Sequence, residues 1–153
     1  MPETPPLTMR PATPADIPLL CRLNQQLKDD EQARSRLPWD KLVARLEGWL
    51  RDEGYEAALF ESGGDTVGYV IYRREPDPCV PDAELIYLRQ FFVVRDRRRR
   101  GIGRRAFGLW KQGIVPRGMA IELDVLESNP AGRAFWEAIG LSPRMTRLRQ
   151  ESS

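Results

Sequence analysis

The sequence has 153 residues and a formal net charge of +2, from 24 basic residues set against 22 acidic ones. This length predicts one domain with its own hydrophobic core, spanning residues 1–153. The absence of histidine and the presence of only two isolated cysteines exclude Ser-His and Cys-His nucleophiles and argue against a zinc or other metal site. Without a secretory signal or an apolar run long enough to span a membrane, the two thiols predict a cytoplasmic protein.

The first third of the chain predicts a short strand followed by two helices. Residues 1–6 are rich in proline and predict a loose tail, and residues 7–10 predict a strand. Residues 13–16, Thr-Pro-Ala-Asp, are typical of a helix start, with a capping hydroxyl, a first-turn proline and an early acid. A second helix with one apolar side follows Pro38, and Gly54 is placed to end it.

The middle of the chain predicts three strands. Residues 55–61 and 67–74 have strand patterns and are joined by residues 62–65, Ser-Gly-Gly-Asp, a sequence typical of a tight hairpin turn. A prolonged apolar strand follows at residues 85–94.

A basic glycine turn joins this strand to a helix whose apolar residues recur on one face over residues 102–114. The turn contains Gly101 and Gly103, and seven arginines lie within residues 95–105. The first turn of a helix has unpaired N–H groups and the positive end of the helix dipole, and glycines let a phosphate approach them. The stretch therefore predicts a pyrophosphate site, in which a side chain at either glycine would crowd the ligand. The alternatives are a solvated basic loop and a nucleic-acid contact, which the modest charge of the whole chain disfavours.

The last third predicts a strand, a helix and another strand. Residues 119–126 alternate in polarity, Asn129-Pro130 opens a helix that Gly140 ends, and residues 144–149 can form a final strand. The complete order is strand, helix, helix, three strands, helix, strand, helix, strand.

Two motifs in this order resemble those of the GNAT superfamily of N-acetyltransferases. The pattern R-x-x-G-x-G at Arg98, Gly101 and Gly103 is similar to the family's coenzyme A signature. A later family motif is matched at Asn129, Gly132, Phe135, Gly140 and Leu141. The likeness covers nearly the whole chain. It implies a mixed α/β (α+β) fold with a mostly antiparallel central sheet of six or seven strands and about four helices, in which two central strands splay to form the coenzyme A cleft.

The resemblance also implies which residues hold acetyl-CoA, the expected cosubstrate. The Val93 backbone would bond the pantetheine arm in the gap between the splayed strands, and the Phe91 N–H would face the acetyl carbonyl. Amides of residues 99–104 would hold the pyrophosphate. Asn129 would contact the arm, cap the last helix, or do both. The complete set implied for cofactor binding is Phe91, Val93, Val94, Arg98, Arg99, Arg100, Gly101, Ile102, Gly103, Arg104, Asn129 and Trp136.

The proton carriers common in the family are missing from their usual positions. Tyr87 and Arg89 occupy positions that often hold a glutamate, and Trp136 occupies that of a frequent tyrosine, so its ring is interpreted as core or as a wall beside the thioester. Substitutes chosen by residue type and strand location, each of which can also be an ordinary strand residue, are Glu84, Tyr87, Glu122 and Asp124. The last two are expected to share one strand face. The Phe91 N–H completes the catalytic set, as the donor to the developing oxyanion.

The resemblance thus implies an acyl-CoA-dependent N-acyltransferase that transfers an acetyl group to a primary amine by direct attack. The missing carriers leave open a catalytically silent module that binds coenzyme A. Acceptor choice is expected from residues 28–37 and 76–82. The first segment mixes acidic and basic residues, and the sequence does not choose between a cationic amine, a peptide N-terminus and an aminoglycoside-like compound. A monomer or homodimer without membrane contact is expected.

Overall fold

Five strands form one sheet in the computed structural model, which describes residues 5–30 and 36–152 apart from the side chains of residues 99 and 100. They are β1 Leu7–Pro11, β2 Glu56–Ser62, β3 Asp65–Pro76, β4 Glu84–Val93 and β5 Ala120–Glu122. Spatial order follows chain order, with antiparallel pairing from β1 to β4 and parallel pairing between β4 and β5. The sheet is therefore mixed and mostly antiparallel, as predicted.

Helices cover both faces of this sheet. They are α1 Ile17–Asp30 and α2 Trp39–Arg51 on one face, and α3 Ile102–Ile114 and α4 Pro130–Ala138 on the other. We call these the α1/α2 face and the α3/α4 face. Within the described residues, no helix has the length and apolar character needed to cross a membrane.

Each face buries its own cluster of apolar side chains. Leu20, Leu46 and Trp49 pack on the α1/α2 face, and Phe107 and Trp110 pack on the α3/α4 face. The spacing of the apolar positions in each helix explains this arrangement, because residues three or four apart lie on one side. The two clusters pack on opposite faces of the sheet and so fix the position of β4, the strand that pairs with both β3 and β5.

The end of the chain differs from the prediction. Among the described residues no strand follows β5, so the sheet has five strands rather than six or seven, and residues 144–149 form no regular secondary structure. Met145 and Leu148 remain 89% and 88% exposed. The segment offers only these two large apolar residues among three arginines, too little apolar surface to hold it on a core.

The strand predicted over residues 119–126 is also shorter than expected. Pairing between β4 and β5 stops at Tyr87 and Glu122, and the chain leaves the sheet there. Glu122 and Asp124 therefore do not share a strand face, because Asp124 lies beyond the end of β5. An alternating sequence can form a strand only where a partner lies alongside it.

Candidate active site

The β4 strand has one open edge near its C-terminal end. Its parallel pairing with β5 covers only residues 85–87, whereas pairing with β3 continues to Val93. The two central strands therefore part after Tyr87, as the splayed arrangement requires. The edge between Leu88 and Val93 faces the gap that opens there.

A β-bulge in this part of β4 determines which side chains lie on the α1/α2 face and which lie on the α3/α4 face. Leu88 and Gln90 pair with consecutive residues of β3, which leaves Arg89 without a partner. Leu88 packs on the α3/α4 face, and simple alternation would place Gln90 there next. Instead Phe91 packs on that face and Phe92 on the α1/α2 face. The extra residue thus reverses the alternation of β4 midway along the strand.

Backbone groups of β4 point into the gap at two positions. The Val94 N–H donates to the Val67 carbonyl of the chain beside it at 2.9 Å. Because antiparallel ladders alternate, the N–H and C=O groups of Phe91 and Val93 point away from β3. The Val93 carbonyl accepts from Arg98 Nε at 2.8 Å. This edge can pair with the amides of an extended ligand, as an added strand would.

The turn after β4 has the features of an anion site. A 3-10 helix over Arg95–Arg100 leads to Gly101, whose φ of 71° is left-handed and favours glycine. The first bond of α3 runs from Arg105 N–H to the Gly101 carbonyl at 3.1 Å. The amides of residues 102–104 lie before that bond, at the positive end of the helix. A Cβ built on Gly101 meets no atom of the described residues within 4 Å, which leaves room at this turn for a phosphate to approach the amides.

Gly103 lies close to the α4 helix, which is a reason for glycine there besides the predicted approach of a pyrophosphate, and that approach stays a prediction. A Cβ at this position would lie 3.2 and 3.3 Å from two ring carbons of Phe135. Phe135 stacks on Phe91 with ring centroids 6.2 Å apart, and Trp136 packs edge-on against Phe91 at 5.4 Å and Phe107 at 5.6 Å. Gly103 therefore allows α3 to approach α4 closely, and the aromatic side chains of the two helices pack with Phe91 in one cluster. The Trp136 ring is a member of this cluster.

Arg98, the arginine of the motif that resembles the coenzyme A signature, connects the turn to the end of β4 and to the end of α1. It hydrogen-bonds the Val93 carbonyl and the Asp30 carboxylate, and its guanidinium lies 5.4 Å from the Phe92 ring centroid. Arg95 also pairs with Asp30, at 3.1 Å, and the Asp30 side chain is only 17% exposed. Asp30 was part of the predicted acceptor segment, and its role in holding the turn was missed. The only sequence signal was an acid at the end of α1.

The other predicted cofactor-binding residues have simpler surroundings. Asn129 caps α4, since its Oδ1 accepts from the Gly132 N–H at 3.0 Å; its contact with a pantetheine arm stays a prediction. Ile102 is buried, Val94 is half-buried between the two clusters, and Arg104 is exposed. Arg99 and Arg100 contribute backbone to the 3-10 helix, and their side chains lie outside the described part of the chain.

The candidate proton carriers do not all reach the opening. The Tyr87 hydroxyl donates to Asp124 Oδ2 at 2.8 Å, across the point where β4 and β5 part. Burial, reinforced by Asp124, raises the pKa of Tyr87 to about 12. Glu122 lies opposite Tyr87 at the end of β5. Glu84 begins β4, about 20 Å from Phe91 at about 3.3 Å per strand residue, so the structure does not bring it to the site.

Arg89 lies on the α1/α2 face beside this opening. Its guanidinium carbon is 4.3 Å from the Trp49 ring centroid and 5.4 Å from that of Tyr55. Its Nη1 donates to the Tyr55 hydroxyl at 3.2 Å, and the residue remains exposed. Sequence reasoning marked Arg89 only as a departure from the family pattern and missed its aromatic support, which comes from residues distant in sequence.

The segments expected to choose the acceptor are described in part. Residues 31–35 of the first segment lie outside the described residues. A cavity of about 340 Å³ lies between α1 and α2 and includes Asn24 in its wall. The buried Asn24 Nδ2 donates to Gln90 Oε1 at 2.9 Å, which links this cavity to the bulged part of β4. The second segment, residues 76–82, lies where β4 begins, at the other end from Val93.

Comparison with known proteins agrees with this architecture. The chain superposes on a possible acetyltransferase of Clostridium difficile 630 with a TM-score of 0.78 and 16% identity, over 96% of this chain and 97% of that one. An aminoglycoside N-acetyltransferase in complex with CoA gives a TM-score of 0.76 at 15% identity, over 99% and 98% of the two chains. A predicted acetyltransferase of Clostridium acetobutylicum with acetyl-CoA gives 0.75 at 15% identity, over 95% and 96%.

These identities are low, and the likeness to the solved structures concerns the fold. A search of curated proteins by sequence finds no match. The family assignment comes from a family model, that of the acetyltransferase (GNAT) family, which matches residues 22–141. That range includes both motifs, the open edge of β4 and the turn at Gly101, and by this match the chain belongs to the GNAT acetyltransferase family.

Proposed function

We propose that the protein is an N-acetyltransferase that transfers the acetyl group of acetyl-CoA to a primary amine on a small molecule or peptide. The observation that carries the proposal is the open edge of β4, which leads directly into the left-handed Gly101 and the first-turn amides of α3. The edge suits the amides of a pantetheine arm, and the turn suits a pyrophosphate. The edge and the turn follow each other along one continuous stretch of chain, in the same order as the pantetheine arm and the pyrophosphate of the cosubstrate.

We propose that acetyl-CoA lies along this edge and turn, and two features of the described residues support the placement. The space beside Gly101 is open, and the backbone of Phe91 and Val93 faces the gap where β5 leaves the sheet. The amides of residues 102–104 are the proposed pyrophosphate donors. Two solved structures of the same fold contain CoA or acetyl-CoA, which supports the same cosubstrate here.

The transfer itself requires one bond to form and one to break. The amine nitrogen bonds to the acetyl carbon, the carbon–sulfur bond breaks, and the sulfur leaves as a thiolate that takes up a proton. The amine gives up a proton. We assign the Phe91 N–H to the carbonyl oxygen, where negative charge develops. The Tyr87 hydroxyl, with a pKa of about 12, stays protonated at neutral pH and donates to Asp124. We assign Asp124 as the carboxylate that receives the amine proton through water.

Coenzyme A binding and thiol release test the proposal separately. Titration calorimetry with acetyl-CoA should give saturable binding, and a thiol-release assay with a panel of amines should give turnover with at least one. Gly101→Ala should weaken binding, because Cβ strains the left-handed turn that presents the amides. Gly118→Ala is the matched control, since Gly118 also has a positive φ (85°) and open space around its Cβ position, at the opposite end of α3.

Three results distinguish the alternatives. Binding without thiol release for any amine would favour the silent coenzyme A module. Equal loss of affinity in the Gly101 and Gly118 variants would place the pyrophosphate elsewhere. A duplex DNA that stabilises the protein against heat while no coenzyme A species does so would replace the proposal with nucleic-acid binding.

A further inference from the structure

The Arg89 guanidinium is held in place but not neutralised. The Trp49 and Tyr55 rings and the Tyr55 hydroxyl fix it, and among the described residues no carboxylate forms an ion pair with it. Its neighbour Arg73, which also lies over Tyr55 at 4.3 Å, is paired with Glu75 at 2.8 Å. Aromatic support fixes the orientation of a guanidinium without using its outward-facing N–H groups.

Tyr87 interacts with charges of opposite sign, the Asp124 carboxylate and the Arg89 guanidinium two residues further along β4. The hydroxyl bonds Asp124 directly. Burial is the main reason that the pKa of Tyr87 is raised, Asp124 raises it further, and Arg89 opposes both. The opening beside Tyr87 therefore has a negative charge at the β5 side and a positive charge at the α2 side.

We propose that the acceptor is an amine that also carries a carboxylate, with Arg89 binding the carboxylate and the Tyr87–Asp124 pair receiving the amine. This inference rests on the proposed acetyltransferase function and specifies its substrate class. A guanidinium binds a carboxylate through two parallel hydrogen bonds. A polycationic acceptor such as an aminoglycoside would meet Arg89 with like charge. A phosphate dianion would bring twice the negative charge to one guanidinium and would be repelled by Asp124.

Matched acceptors test the proposal. The thiol-release assay would compare each standard α-amino acid, β-alanine and γ-aminobutyrate with the corresponding carboxamide, which keeps the amine and loses the carboxylate charge. The wild type should use at least one acid with a kcat/KM roughly tenfold or more above that of its amide, the size expected for loss of a charge-assisted hydrogen bond. Phosphoethanolamine and an aminoglycoside would be assayed beside them and should be poorer substrates.

Variants at Arg89 complete the test. Arg89→Gln should remove the preference for acid over amide mainly through KM, and Arg89→Lys should restore part of it because the charge remains. Arg73→Gln, which removes an equal charge from the same cluster, should keep the preference. Titration with acetyl-CoA should give the same affinity in all three variants.

Several outcomes would overturn the inference while leaving the acetyltransferase proposal intact. They are a wild type that uses acids and amides equally, a preference for phosphoethanolamine or the aminoglycoside, an Arg89→Gln variant that keeps the acid preference, and acetyl-CoA binding with no carboxylate-bearing amine accepted. A protein that does not bind acetyl-CoA at all would overturn both.

Discussion

Substituting Gly103 with alanine should destabilise the protein relative to the same change at Gly108, five residues further along α3. Alanine is favoured over glycine inside a helix by about 1 kcal/mol. At Gly108 a Cβ meets no atom of the described residues within 4 Å, whereas at Gly103 it lies 3.2 Å from the nearest Phe135 ring carbon. Phe135 is itself stacked on Phe91, so its ring has little freedom to retreat. Overpacking of this kind typically costs about 1–3 kcal/mol.

Urea denaturation followed by tryptophan fluorescence measures this difference directly. Gly108→Ala should unfold at a urea concentration equal to or above that of the wild type. Because m for a chain of this size is about 2 kcal/mol/M, Gly103→Ala should unfold about 0.5–1.5 M below Gly108→Ala. A double variant with Phe135→Leu should recover part of the loss, since the smaller side chain makes room. If Gly103→Ala matched Gly108→Ala, the close approach of α3 to α4 would not be what requires glycine there.

Three further predictions concern charged and titrating groups. Asp30→Ala removes the carboxylate that Arg98 shares with a second arginine, so the free energy of unfolding should fall by about 1–2 kcal/mol. Urea denaturation measures this change, and an unchanged urea midpoint would contradict a role of Asp30 in holding the turn. The hydrogen bond from Arg10 lowers the pKa of Asp16 from 3.8 to about 2. The ionised Asp16 therefore stabilises the folded protein above about pH 4, and this stabilisation is lost as the pH falls towards 2. Asp16→Asn should therefore lower the urea midpoint at neutral pH, with a deficit that shrinks towards about pH 2; a deficit independent of pH would refute the assignment. Burial raises the pKa of Tyr87 from 10.0 to about 12. The contribution of the protonated Tyr87 side chain to the free energy of unfolding is therefore complete below about pH 10 and is lost as the pH rises towards 12. Tyr87→Phe should show a smaller alkaline loss of stability than the wild type, and parallel curves would argue against a buried neutral phenol.

Local signals in the sequence predicted most of the fold. The hairpin at residues 62–65 required glycines, and Gly63 and Gly64 indeed have φ values of 59° and 84°. The helix start at residues 13–16 is fixed by Asp16, which accepts from the Thr13 N–H at 2.8 Å. These features depend on the conformations open to one or two neighbouring residues, and the residue types reveal them directly.

Features that depend on a partner distant in the chain were not predictable in the same way. Residues 144–149 have a strand-like pattern but no strand beside them, and β5 ends where β4 turns away from it. Glu84 and Tyr87 are three positions apart, yet only Tyr87 lies at the opening. The seat of Arg89 is formed by Trp49 in α2 and by Tyr55 just before β2, and nothing in the local sequence around Arg89 indicates that contact.

The β-bulge at Arg89 is the feature near the candidate site that the sequence pattern did not predict. The sequence from Leu85 to Val94 is nearly all apolar, so its pattern does not show where alternation reverses. Without the extra residue, Gln90 would face the apolar α3/α4 cluster and Phe91 would leave it. With it, Phe91 packs among the aromatic rings of the α3/α4 face, and the polar side chain of Gln90 bonds Asn24 on the α1/α2 face. The bulge thus separates the two faces of one strand: Phe91 packs on the α3/α4 face, which supports the proposed cosubstrate edge, and Tyr87 and Arg89 lie on the α1/α2 face, where we propose that the acceptor binds.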